Sequence, residues 1–395
     1  MSETATPMLL NKKTTHQALV VPFEMTKIED ADALSLVRVG GYTCVVRTED
    51  WAGVDKAVYV VPDSVVDTTR PEFGFLAPQA DSDGLARIRA RKFLKKYVSY
   101  GLLVPAPADA VVGEDWAERL GVKRYDADDP TAGGHKKRGF TIGGEHEPGP
   151  DLLTGPDYYD VDALRSNMTL IDAGTPVFVQ EKLDGSNYRV VFHDGRYWVK
   201  SRNCWVRRNP NYDHVTREYL EANMKLQDGT PNVDGVNRVL AEIEKKKGRV
   251  AGIWEFFEKQ TELWTFLAAN PGTTVYGEVY GNTHQVKYGF PDGNKFAAFD
   301  VYTDGRFLNG SEAYNLLTRA GVPTAPLIAE DVPFDFAQLE AMSDRKSAAP
   351  GCAAGTVCEG LVIRPTIETH NPRYGRVILK LISPEYMTMK VAKRR

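Results

Sequence analysis

Short runs of alternating apolar and polar residues recur along this chain, and helical periodicity is confined to a few stretches between them. Near the N-terminus, residues 34–39, 43–48 and 57–61 are β-branched runs with a strand's period of two. Gly40 and Gly41 separate the first two runs as a hairpin turn would. A further run, 97–104, leads into Pro105. Ahead of it, Arg87, Arg89 and Arg91 alternate with Ile88 and Ala90, which predicts a strand with the arginines on one face. Residues 113–122 read as a short helix with acidic residues in its first turn. Residues 126–156 are rich in Gly, Pro, Asp and His and almost aperiodic, as in a linker. Beyond them, strand patterns (177–192, 276–281, 295–302, 359–365 and 377–382) are interspersed with helical ones (215–225, 236–247, 312–320 and 336–342). The expected organisation is a small β-rich domain over 1–125, a linker over 126–156, and an α+β domain over 157–395. From periodicity alone, the first domain fits a five-stranded barrel and a generic sandwich equally well.

Composition narrows the class. The 395 residues are 42% hydrophobic and 26% charged, which suits a soluble protein of two or three domains. No apolar run approaches a membrane span, and the N-terminus lacks a signal-peptide pattern. Cys44, Cys204, Cys352 and Cys358 are scattered without zinc-type pairing, so free thiols in a reducing, cytoplasmic setting are expected. A formal net charge of −4 means that any nucleic-acid affinity must come from local patches. Residues 87–96 form such a patch, with six basic residues and no acidic one. Phosphate neutralisation is one reading of this run and a solvated charged face is the other. The same pair of readings applies to His135, Lys136, Lys137 and Arg138, and to Lys390, Lys393, Arg394 and Arg395.

The candidate chemistry centres on Glu181-Lys182-Leu183-Asp184-Gly185-Ser186-Asn187. A lysine between two strand-like runs, followed by Asp-Gly, suits an enzyme that carries a nucleotide on its own side chain. The amine must be neutral to attack phosphorus, and partial desolvation beside other cations would lower its pKa. Gly185 would let the backbone turn tightly beside a phosphate. An ordinary hairpin with one exposed lysine fits the heptapeptide as well. Downstream come Glu278 at a strand centre, Phe299 in an alternating strand, Glu359 at a strand start and Lys380 on a near-terminal strand. Ser201-Arg202-Asn203 lies between the lysine and these elements.

In this order the motifs resemble the covalent nucleotidyltransferases: DNA ligases, RNA ligases and mRNA capping enzymes. The best match is the RNA ligase 2-like family, in its nick-sealing branch with an OB-fold domain before the catalytic domain. The resemblance implies an α+β nucleotidyltransferase (ATP-grasp-like ligase) fold, two antiparallel sheets with flanking helices, preceded by an OB-fold barrel. It implies an ATP-dependent RNA ligase that joins 3′-OH and 5′-phosphate ends, at nicks in duplexes; nothing in the sequence suggests an oligomer, so a monomer is expected. Lys182 would take AMP from ATP and pass it to a 5′-phosphate, and a 3′-OH would then displace it. Glu278 and Glu359 would hold metal waters or ribose hydroxyls, with Asp184 in the outer shell of a Mg²⁺ or Mn²⁺ ion. Phe299 would stack on adenine, and the backbone of Glu181 would read the adenine edge. Asn187 and Arg202 would engage sugar or phosphate, with Arg202 suited to the 5′-phosphate. Lys380 would neutralise the α-phosphate, and Arg87, Arg89 and Arg91 would contact nucleic acid.

One departure stands out. The family's last motif has two lysines separated by one residue, and here Ile382 occupies the second position. Arg364, Arg376 and Lys390 are candidate substitutes. Two alternative readings are a DNA ligase or capping-type guanylyltransferase, and a nucleic-acid-binding protein whose catalytic core has decayed.

Overall fold

The computed structural model describes residues 17–29, 31–94, 96–125, 144–156, 159, 161–226, 228–372 and 374–389. Most of the expected linker, with His135–Arg138, and the basic tail from Lys390 lie outside the described residues.

The N-terminal unit is built around strand Lys56–Val60, which pairs antiparallel with Ala18–Pro22 on one side and Leu102–Pro105 on the other. Both faces of this strand are buried. Ala57 and Tyr59 face a core with Val37, Tyr42 and Trp51, whereas Val58 and Val60 face another with Phe73, Ile88 and Trp116. That double burial is why the run reads as continuously apolar. Residues 40–41 do turn a hairpin, pairing Val39 with Tyr42.

The expected arginine strand is broken. Strand Leu85–Arg87 pairs with Ser64–Asp67, and strand Arg91–Phe93 pairs with Tyr97–Ser99. Ile88 and Ala90, between them, serve different cores. The predicted 113–122 helix shrinks to Ala117–Leu120, because Asp115 accepts hydrogen bonds from the Ala18 and Ala117 amides and holds the preceding residues extended.

The C-terminal unit contains a seven-stranded antiparallel sheet. Its order is His146–Glu147, Trp205–Val206, Arg196–Ser201, Gly185–His193, Thr274–Tyr280, Lys295–Thr303, Arg306–Phe307. A five-stranded sheet runs Asp162–Ala163, Leu379–Ile382, Gly360–Pro365, Pro176–Lys182, Leu327–Pro333, with only the first pair parallel. The four expected helices form as Arg217–Asn223, Val233–Lys246, Gly310–Arg319 and Phe336–Ser343. Gly252–Phe257 and Thr261–Ala269 form two more, which cover the seven-stranded sheet through Trp254, Phe257, Leu263 and Phe266. The second is apolar on most sides, so no polar stripe revealed its helical period.

Residues 144–156 are not a free connector. They pack along the seven-stranded sheet, where Tyr276 and Arg189 donate to the Thr154 carbonyl and Arg189 also donates to the Pro156 carbonyl. The two units meet at Gly41, whose amide and carbonyl bond to the Arg165 carbonyl (3.2 Å) and guanidinium (2.8 Å). A Cβ at Gly41 would stand 2.8 Å from Met168 Sδ and 3.0 Å from Arg165 Cα, so a larger residue would have to displace the Met168 side chain. Among the described residues, no helix is long and apolar enough to cross a membrane.

Candidate active site

Strands Pro176–Lys182 and Gly185–His193 do not form a hairpin with each other. The first belongs to the five-stranded sheet and the second to the seven-stranded sheet, so the chain changes sheets directly after Lys182. Leu183 anchors this crossing in a cluster with Val286, Tyr288 and Phe290. Lys182 is thereby held where the two sheets diverge, on the wall of a cavity of about 500 Å³. Gly185 is required here for closeness rather than for a turn. A Cβ on it would lie 2.3 Å from the Val279 carbonyl oxygen and 2.8 Å from Glu278 Cγ.

Strand register brings distant residues onto this cavity. Lys182 pairs with Gly360, which places Glu359 beside it, and Lys182 Nζ donates to Glu359 Oε2 at 2.9 Å. The lysine side chain retains 25% exposure and that of Glu359 9%, so the pair is largely shielded; Lys182 lines the cavity, and Glu359 is not among its lining residues. Asn187 lies directly across from Glu278. Lys380 pairs with Val362, and both line the cavity. Arg202, just past strand Arg196–Ser201, forms the exposed rim with Asn203, beside the half-buried Ser201.

Phe299 also lines the cavity, at an irregularity in the pairing between Thr274–Tyr280 and Lys295–Thr303. Tyr276 pairs with Asp300 but Gly277 with Ala298, leaving Phe299 without an opposite residue. Such a bulge redirects a side chain and frees a carbonyl. Arg364 donates to that carbonyl at 3.0 Å, and Tyr159 sits 5.2 Å from the Phe299 ring.

The electrostatics depart from the expectation of a lowered lysine pKa. Burial pulls the Lys182 amine down, but Glu359, Glu278 and Asp184 more than offset this, and the amine stands above the ordinary lysine value. The neighbours are carboxylates rather than cations. Glu278 is pushed up to about 8, chiefly by burial and further by Glu359 and Asp184, against the lowering effect of Lys182. Glu359 is also raised, by burial first.

Asp184 is not on the cavity wall. Its carboxylate accepts from the Val286 amide (2.7 Å) and lies beside the Tyr386 hydroxyl, so it braces the loop instead of facing the cavity. Glu181 lines the cavity, and its carboxylate accepts from the Ser347 hydroxyl (2.5 Å) and the Ala348 amide (2.6 Å). The Glu181 amide is taken by the Pro326 carbonyl, so that group is not available to a base. Among the described residues, no three His, Cys, Asp or Glu side chains are arranged to cage a metal directly. The donor set does fit a hard cation held through water: Glu278 lines the cavity and Glu359 stands against the amine, and Glu278 retains its proton to about 8 chiefly because it is buried.

The proposed substitutes for the missing lysine are otherwise engaged. Arg364 and Arg376 both bond to Asp300, which is fully buried, and Arg376 also pairs with Glu368. Lys390 lies outside the described residues. Arg87 is tied to Asp63 at 2.7 Å and stacked on Tyr125, whereas Arg89 and Arg91 are exposed. None of these three lines the cavity.

Sequence reasoning missed Tyr159, Gln180, Val362 and Asp300. Gln180 and Asp300 did carry a signal, as polar residues inside apolar strands that must find buried partners. Arg364 provides those partners, donating to Gln180 Oε1 at 3.1 Å and to Asp300 at 3.0 Å. Tyr159 has no comparable local signal.

Two sheets opening onto a cavity, with a lysine at the point where the chain crosses between them, define a nucleotidyltransferase core. The RNA ligase family model matches residues 175–382, over half of the chain, and an OB-fold domain model matches residues 20–106. The chain belongs to the RNA ligase family. No curated protein matches it. Similar solved structures include Naegleria gruberi RNA ligase as a lysine-to-alanine mutant with ATP and Mn, at 20% identity and TM-score 0.64, covering 94% of this chain and 98% of that chain. The same N. gruberi ligase with PPi is 21% identical, with TM-score 0.63, covering 95% of this chain and 98% of that one. Likeness at this level of identity establishes a shared fold.

Proposed function

We propose that this protein is an ATP-dependent RNA ligase that joins 3′-OH and 5′-phosphate ends, at nicks in duplexes, through a covalent lysyl-AMP on Lys182. The observation that carries this reading is the placement of Lys182 on a cavity shared with Phe299, Lys380, Arg202 and Glu278. Lys182 Nζ attacks the α-phosphate of ATP, the N–P bond forms, and pyrophosphate leaves. Glu359 Oε2, already hydrogen-bonded to the amine, is the nearest acceptor for the proton it must lose. Phe299 supplies an aromatic face for adenine, and Asn187 reaches the ribose and phosphate side. Lys380 offsets the charge gathering on the α-phosphate, and Arg202, at the rim, takes the incoming 5′-phosphate. Glu278 and Glu359 would hold a Mg²⁺ or Mn²⁺ ion through water. Such an ion supplies charge neutralisation on the phosphates. The AMP then passes to the 5′-phosphate, and the 3′-OH displaces it.

In this reading Asp184 acts by bracing the loop behind Lys182. Arg89 and Arg91 give the barrel its phosphate contacts, with Arg87 behind them. Functionally we divide the chain into a nucleic-acid-binding barrel to residue 125, a connection over 126–156 and a catalytic unit from 157, acting as a cytoplasmic monomer. The four free thiols agree with a reducing compartment.

The test is incubation with α-³²P-ATP and Mg²⁺ followed by a denaturing gel, for the native protein and Lys182→Ala. A labelled band lost in the variant supports the reading, and native protein that takes no label from ATP overturns it. Nicked duplexes with RNA or DNA on each side of the break then define the substrate.

A further inference from the structure

The short helix Pro384–Thr388 touches both the loop behind the nucleophile and the core of the barrel. Its N-cap, Ser383, fastens it to the catalytic unit: the Ser383 amide donates to the Glu359 carbonyl at 2.9 Å, and its hydroxyl to the Cys358 carbonyl at 2.7 Å. The Tyr386 ring packs in the cluster that holds Leu183 and Val286, with its hydroxyl beside the Asp184 carboxylate. The Tyr386 carbonyl accepts from Gln285 Nε2 at 3.3 Å, on the same loop whose Val286 amide bonds to Asp184. One residue on, Met387 leaves the catalytic unit and packs against the barrel core around Tyr42, Tyr59 and Tyr100. The backbone carbonyl of Glu359, Asp184 and the barrel interior are thus bridged by two consecutive side chains and a cap.

We infer that Tyr386 is a positioning residue for the Lys182 loop, and that Met387 makes its setting depend on how the barrel is seated. The physical reason is geometric. Tyr386 and Met387 are adjacent on one turn of helix, so a shift of the barrel that moves Met387 must move the Tyr386 hydroxyl as well. The Tyr386 carbonyl would then pull on Gln285, the neighbouring Val286 amide would shift from Asp184, and the turn from Leu183 to Ser186 would lose its brace. Occupancy of the barrel by nucleic acid therefore acts on the step at Lys182 without any barrel residue entering the cavity. This inference rests on the lysyl-AMP reading above, and it assigns that reading a route from barrel to nucleophile.

The experiment uses full-length Tyr386→Phe, Met387→Ser and the double variant, with Met387→Leu as the conservative control. Tyr386→Phe keeps the ring in its cluster and removes only the hydroxyl. Single-turnover formation of lysyl-AMP is measured across ATP concentrations. Amide hydrogen exchange of peptides covering residues 183–187 and 286 is measured without nucleotide. Both single variants should lower the limiting rate about tenfold, with the half-saturating ATP concentration changed less than twofold, and both should speed exchange of those peptides. The double variant should be no slower than the worse single one, because the two residues act in series. Met387→Leu should restore the native rate. Exchange of the 183–187 peptide that is unchanged in Met387→Ser overturns the inference, as do rate losses that multiply in the double variant. Native protein that forms no lysyl-AMP would instead defeat the underlying reading, and the exchange data would still judge the coupling by themselves.

Discussion

Replacing Glu359 with Gln should make the Lys182 amine more reactive while making the enzyme worse. In the native structure Glu359 Oε2 lies 2.9 Å from Lys182 Nζ, and it is the largest of the influences that raise the amine. A unit-charge pair at ~4 Å in an effective dielectric near 20 is worth about 4 kcal/mol. Each 1.4 kcal/mol is about a factor of ten in the neutral fraction, so roughly a thousandfold gain is the ceiling. Two effects reduce it. The lysine side chain is 25% exposed, which screens the pair. Glu278 also ionises more readily once its like-charged neighbour is gone, and restores part of the field. The expected gain is therefore about tenfold.

The sign is unambiguous, because removing an acid that favours the charged amine lowers the amine's pKa. Trinitrobenzenesulfonate labels neutral amines, and peptide mapping isolates the Lys182 adduct, with Lys182→Ala as its assignment control. Between pH 7 and 9, the Glu359→Gln protein should label Lys182 about tenfold faster, while lysyl-AMP formation falls. Saturating Mg²⁺ should speed labelling of the native protein in the same direction. Labelling rates within twofold of native across that range would refute the claim that this ion pair sets the protonation of the nucleophile.

Other consequences follow from the same geometry. Phe299→Ala should raise the half-saturating ATP concentration about three- to tenfold, the equivalent of one aromatic stacking contact, with little change in limiting adenylylation rate. Because Glu278 keeps its proton up to about 8, adenylylation at low Mg²⁺ should climb as pH passes that value, and Glu278→Gln should flatten the limb as well as lower it. Asp300→Asn leaves Arg364 and Arg376 facing a neutral group in a buried site. It should cost about 3–5 kcal/mol in denaturant unfolding. Gly185→Ala must displace the Val279 carbonyl or the Glu278 side chain, and should lower stability by about 1–3 kcal/mol together with the adenylylation rate.

How much was legible in the sequence differs by element. The strands carrying Glu278, Phe299 and Lys380 announce themselves through alternation, because each has one face toward the cavity and one toward a core. Helix Val233–Lys246 was legible for the same reason, with Val236 and Ile243 on its buried stripe. The arginine run was legible in its burial pattern yet misread as one strand. Alternation records which side chains are buried, and it cannot record that Ile88 and Ala90 are buried in different cores. The alternative of an ordinary hairpin around Lys182 failed for a related reason. Two apolar runs separated by a tight turn look alike whether they pair with each other or enter separate sheets, and partner choice is a long-range property.

What the sequence determined by itself is the set of local elements, the order of the motifs and the residue types able to carry nucleotidyl transfer, since period and side-chain chemistry are properties of the chain. The tertiary structure alone decided which of those residues share a cavity and in what field. Register across the sheets set Glu359 against Lys182, and a bulge aimed Phe299 inward. The Val286 amide holds Asp184 away from the cavity. Asp300 tied up both arginines that had looked able to replace the missing lysine. These outcomes depend on groups far apart in the chain whose fields and hydrogen bonds meet only after folding, and a local pattern has no access to them.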